Sequence, residues 1–184
     1  MPNYAPLNKS ECVLVVVDIQ EKLLPAIYEC QKVLERSVKI VKGALLLGVP
    51  VVFTQHYTKG LGETHSDLRG LIPEFSHVEK TQFNAFQELE FEEKIRDLKA
   101  ETLIFAGTEA HICVCQTVLE GLHRGYGVHV LADAVGSRTT ANKELSLARI
   151  RQAGGVISST EMTLYEWIGR SDAEDFKEFL PLVK

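Results

Sequence analysis

The chain has 184 residues, 45% apolar and 24% charged, a balance that suits one compact soluble domain with a substantial core. Its net charge of −5 gives no electrostatic footprint for nucleic acid or an anionic membrane surface. No apolar run approaches the roughly 18–20 residues that span a bilayer, and the N-terminus lacks the charged-then-apolar pattern of a secretory leader.

The first apolar run, Val13 to Val17, is rich in β-branched residues and reads as a strand buried on both faces. Val33, Leu34, Val38, Val41 and Leu45 then recur at helical spacing, and Gly48-Val49-Pro50 stops that helix. Val51 to Thr54 is the second strand. The polar, glycine-containing stretch 56–76 is too long for a simple connection and is expected to be a functional loop. Val78 to Thr81 is a short third strand, and Phe91 to Lys99 a helix with Ile95 and Leu98 facing inward. Thr102 to Ala106 is the fourth strand, followed by a tight turn at Gly107 and a helix whose buried face is Val114, Thr117, Val118 and Leu122. Val128 to Ala132, a helix over Thr139 to Ala153, and a strand beginning at Val156-Ile157 complete the alternation. Two short helices follow, near Thr160–Ile168 and Asp172–Leu182, the second carrying Phe176, Phe179 and Leu180 for the core or for a subunit contact.

Strands alternating with helices predict a three-layer α/β/α domain over 1–184, built on a mostly parallel, six-stranded, Rossmann-like sheet. In such a sheet ligands bind beyond the carboxyl ends of the strands, where strand order reverses. Asp18, Lys80 and the Gly107–Cys113 turn all fall at such ends.

Each of these residues has a bland alternative. Asp18 fits a helix cap as well as a general base. Lys80 fits a solvent-facing strand lysine as well as a partner for a carboxylate or thiolate. Cys113 fits a small packing residue as well as a nucleophile, and its place in the first turn of a helix is expected to favour the thiolate. Cys115 lies two positions on, where helical side chains diverge, so neither a disulfide nor a shared metal is expected between them. Together with Cys12 and Cys30 they read as free thiols of a reducing, cytoplasmic compartment.

His111 lies two residues from Cys113, where helical geometry points it away, so it fits a helix cap or a substrate contact better than a general base. His56, His65 and Asp67 match no compact ligand motif. Gly60-Leu61-Gly62 is only a fragment of a dinucleotide fingerprint, and the first strand runs into Asp18-Ile19-Gln20 where such folds carry glycines. No metal and no organic cofactor is therefore expected.

With Val15-Val16-Val17-Asp18-Ile19-Gln20, Glu79-Lys80-Thr81 with Phe83, and Gly107-Thr108-Glu109-Ala110-His111-Ile112-Cys113-Val114, the chain resembles the isochorismatase-like cysteine hydrolases. Tyr57 to Gly62 and Val128 to Ala134 further resemble the isochorismatase-domain-containing subgroup. The resemblance implies a triad of Asp18, Lys80 and Cys113, a non-proline cis peptide between Glu109 and Ala110, and an oxyanion hole from the amides of Ala110 and Cys113. Gln20, Phe83, Glu109 and His111 are the expected substrate contacts. Thr54-Gln55-His56-Tyr57-Thr58 lacks the Asp-x-His pattern of metal-binding nicotinamidases, and Cys113 favours acyl chemistry over vinyl-ether cleavage. The expected activity is hydrolysis of a small amide, carbamoyl or ester substrate by a homo-oligomer, without nucleic acid or membrane. The competing expectations are a non-catalytic scaffold on the same fold and a phosphoryl-handling domain, the latter lacking the clustered acids that hold Mg²⁺.

Overall fold

The computed structural model describes residues 6–184. Six strands form one sheet in the order β3-β2-β1-β4-β5-β6, and every neighbouring pair is parallel. They are β1 (Cys12–Val17), β2 (Val51–His56), β3 (Val78–Lys80), β4 (Thr102–Thr108), β5 (Gly127–Gly136) and β6 (Val156–Ser158). The chain lays down β1, β2 and β3 in one direction, then returns to place β4 on the other side of β1. The reversal of strand order is therefore between β1 and β4.

The period-two geometry of β1 divides its side chains between two cores. Leu14 and Val16 face a layer made by α1 (Cys30–Leu47), α7 (Thr160–Ile168) and α8 (Phe176–Val183), through Ile40, Val41, Leu164, Trp167 and Phe179. Val13, Val15 and Val17 face α4 (Leu89–Asp97), α5 (Cys115–His123) and α6 (Thr140–Gln152), through Phe91, Ile95, Val118 and Ile150. A strand covered on both sides needs apolar residues at every position, which is why the run is unbroken. Phe179 is fully buried in this chain's own core.

Helix periodicity was followed where packing agrees with it. Val33, Leu34 and Val41 are buried, whereas Leu45 stays largely exposed near the end of α1, and Gly48 caps that helix in the left-handed conformation. Leu98, expected to face inward, is the residue after α4 and is exposed, because α4 ends at Asp97. The stretch 56–76 carries two short helices, α2 (Thr58–Leu61) and α3 (Ser66–Arg69), and is pinned to the segment after β1. Glu21 and Lys22 donate amides to the carbonyls of Glu63 and Leu61, and the His65 amide donates to that of Ile19.

Candidate active site

The register brings four strand ends level. Val17 pairs with Thr54 on one side and Gly107 on the other, and His56 pairs with Lys80. Beyond Val17, Asp18 adopts a left-handed backbone conformation, φ 47°, which aspartate tolerates better than most side chains. Gly107 has φ 120°, and a Cβ there would lie 2.0 Å from the Val17 carbonyl oxygen, so the close approach of β4 to β1 at the site requires glycine.

Asp18 and Lys80 form an ion pair at 2.6 Å, with both side chains fully buried. The other Asp18 oxygen accepts from the Thr54 hydroxyl at 2.6 Å, and the Asp18 carbonyl accepts from the Thr108 hydroxyl at 2.7 Å. These contacts exclude a solvent-facing lysine and an aspartate used only as a cap. Cys113 is 6% exposed, and its Sγ, an Asp18 carboxylate oxygen and a His56 ring nitrogen lie within 4.8 Å of one another. Two fully buried charges carry a desolvation cost of several kcal/mol each, offset only by their pairing and by added hydrogen bonds, which here come from Thr54.

The Cys113 turn departs from an ordinary helix start. Residues Ala110–Val114 form a π-helical turn ahead of α5. The Glu109 carbonyl accepts from the amides of Ile112 and Val114, skipping that of Cys113. Among the described residues the Ala110 amide has no hydrogen-bond acceptor. The turn is held from outside: Ser146 of α6 donates to the Ala110 carbonyl at 2.6 Å, and Thr117 donates to the Cys113 carbonyl at 2.7 Å. The non-proline cis peptide lies between Thr108 and Glu109, one bond earlier than the resemblance implied. β4 continues through Thr108, paired with Gly136, so the cis bond directly follows the strand's last residue.

The expected helix-start thiolate is also corrected. Burial first, and then the negative charge of Asp18, push the Cys113 thiol up to about 12, and Lys80 offsets only part of this. The resting group is a thiol. Because its folded pKa lies above the unfolded value of 9.0, it contributes stability below pH 9 that is lost as pH rises toward 12. Between those limits the folded state holds the extra proton, so unfolding free energy falls by at most about 1.4 kcal/mol per pH unit. Denaturant titrations at pH 8, 9 and 10 are expected to show a smaller alkaline loss for Cys113→Ala than for the parent.

The expected substrate contacts divide. Phe83 is 49% exposed and stacks on His56, ring centres 5.3 Å apart, which leaves an aromatic face open to solvent. His111 is bound through Nδ1 to Ser137 at 3.0 Å, and Glu109 is paired with Arg138 at 2.9 Å. Gln20 has other work. It is fully buried, its amide nitrogen donates to the carbonyls of His56 and Gly62, and its oxygen accepts the His56 amide. It clamps the end of β2 to the following loop instead of reaching a substrate.

His56 is the residue that sequence reasoning set aside. The second strand extends two residues past Thr54, which carries the imidazole to the Lys80 ammonium at 3.4 Å. Burial and then Lys80 lower its pKa, so the ring is neutral and Nδ1 faces Lys80 as an acceptor. The signal available was the strand order, since β2 lies between β1 and β3. His65 and Asp67 do not join His56: His65 Nδ1 accepts the Asp67 amide within its own loop. Two surface depressions, of about 720 and 580 Å³, lie away from this site, one around Arg124, Tyr126 and His129 and one around Arg36, Asp133 and Lys143.

A buried carboxylate–ammonium pair thus lies beside a buried thiol at the switch point of a parallel sheet, where ligands bind in such folds. The isochorismatase domain model matches residues 12–162, and the chain belongs to the isochorismatase family, with that family's hydrolase fold. It is 34% identical over 176 residues to the secreted isochorismatase effector Isc1 of Phytophthora sojae, covering 94% of this chain and 84% of that protein. It is 33% identical over 185 residues to the human isochorismatase domain-containing protein 2, covering 100% and 88%. Among solved structures it is similar to the MAR1 ribonuclease of Caenorhabditis elegans, with a TM-score of 0.91, 33% identity, and 97% and 92% of the two chains covered. No helix among the described residues is long and apolar enough to cross a membrane.

Proposed function

We propose that this chain is a single-domain, cofactor-independent cysteine hydrolase that cleaves a small amide, carbamoyl or ester substrate through a thioester on Cys113. The observation that carries the reading is the buried Asp18–Lys80 pair set against the Cys113 thiol. Asp18 takes the thiol proton as sulfur attacks the substrate carbonyl, so the thiolate exists only along the reaction path. Lys80 holds the Asp18 carboxylate in place and compensates negative charge while the proton moves. The amides of Ala110 and Cys113 receive the developing oxyanion, a role supported by the unoccupied Ala110 N–H and the π-turn that skips Cys113. Asp18 returns the proton to the leaving amine or alcohol, then activates a water that hydrolyses the thioester. Phe83 and His56 form the aromatic wall against which the substrate rests, with His111 and Glu109 as further contacts.

A non-catalytic scaffold would gain nothing from a buried ion pair held against a thiol, given its desolvation cost. A phosphodiester substrate, as the name of the nematode neighbour would suggest, is not favoured by a net charge of −5 and a site whose Lys80 ammonium is already paired with Asp18. Four free thiols support a cytoplasmic setting. Exposed Met162 and Tyr165, three positions apart on α7, support a homo-oligomer. Incubating the protein with a panel of small primary amides, N-carbamoyl amines and activated esters tests the activity. Release of amine or alcohol that persists undiminished in EDTA is expected, whereas turnover lost in EDTA and restored by zinc would replace this mechanism with a metal-dependent one.

A further inference from the structure

We infer that the same pocket is an inhibitory site for a soft divalent cation of the zinc class, bound by Cys113, His56 and Asp18 in place of the Lys80 ammonium. A thiol sulfur, an imidazole nitrogen and a carboxylate oxygen are the donor types that zinc and cobalt(II) prefer, and three protein donors leave a fourth position for water. Bonds of about 2.0–2.3 Å at tetrahedral angles put such donors about 3.4–3.6 Å apart. Here they already lie within 4.8 Å of one another, so side-chain rotations of about 1 Å would close the set. Each donor is also restrained. The Thr54 hydroxyl fixes Asp18, the Phe83 ring fixes the plane of His56, and Thr117 fixes the Cys113 backbone.

What keeps the pocket free for catalysis is Lys80. Its Nζ stands 2.6 Å from Asp18 and 3.4 Å from His56, where it repels a second cation and occupies the same donors. An entering ion must turn the ammonium aside and displace the thiol proton, which leaves to solvent as the sulfur–metal bond forms. The ion then holds both the sulfur and the carboxylate needed for hydrolysis. The inhibition rests on Cys113 being the nucleophile; the binding does not.

Cobalt(II) titration of the full chain separates the two. The expected result is a sulfur-to-cobalt charge-transfer band that saturates at one ion per chain and reverses with EDTA. It should be absent in Cys113→Ser, weakened about tenfold or more in His56→Ala, and strengthened in Lys80→Met. Turnover should fall in parallel with the band. No band, or a band that survives in Cys113→Ser because another thiol binds the ion, would overturn the site. A band at Cys113 with turnover unchanged would refute the inhibition and count against Cys113 as nucleophile, while leaving the metal geometry standing.

Discussion

Replacing Cys113 with alanine is expected to lower hydrolysis by about four to six orders of magnitude. On the proposed mechanism the Cys113 sulfur forms the covalent intermediate, while Asp18 and Lys80 are paired with one another. The fold is expected to survive. Removing one buried sulfur leaves a small void, and the surrounding turn is tied down by Ser146 and Thr117 through backbone carbonyls that the substitution does not touch. Cys115→Ala is the matched control. Cys115 is likewise buried, but it begins α5 two residues on, and its loss should leave activity within a few-fold. Initial rates and thermal unfolding on the two variants check both halves of this expectation.

Breaking the ion pair should be costly in two separable ways. Asp18→Asn leaves the Lys80 ammonium buried without its counter-charge, and Lys80→Met leaves the carboxylate in the same position. Each is expected to cost about 3–5 kcal/mol of stability, the usual consequence of stranding one member of a buried pair. Each should also lower turnover by about two orders of magnitude or more, because proton transfer and charge compensation act as a unit. The double substitution, Asp18→Asn with Lys80→Met, removes both charges and should regain most of the stability while remaining inactive. Denaturant unfolding and initial rates on all three variants make the comparison. Turnover within a few-fold of the parent in either single variant would remove the pair from the chemistry, as would recovery of activity in the double.

The parallel sheet was legible because its signal is local. The unbroken Val13–Val17 run can only be a strand covered on both faces, and the glycines at 48 and 125 mark where helices stop, whereas Gly107, expected as a tight turn, lies inside β4 paired with Val17. Asp18, Lys80 and Cys113 were legible as strand-end residues, and parallel register does the rest by bringing those ends level. What was not legible depends on pairing and depth. β2 runs on to His56, and β5 runs on to Gly136 past a shift in its register with β4, because neighbouring strands hold segments whose own patterns are polar or mixed. The state of the Cys113 thiol was misjudged because a helix start favours thiolate only where solvent also reaches it, and exposure is a property of the packed molecule. Gln20 looked like a substrate contact for the same reason: its side chain is claimed by a loop more than 30 residues further along the chain.

The most direct measurement is covalent trapping. The protein is mixed with an activated acetyl ester, quenched in acid on the millisecond-to-second scale, and analysed by intact mass and peptide mapping. One acetyl group per chain on the peptide containing Cys113, labile to hydroxylamine and absent after Asp18→Asn, is the result expected of a thioester formed by a thiol that gives its proton to Asp18. Turnover of the ester with no adduct at any quench time, or an acetyl group on a residue other than Cys113, would contradict it.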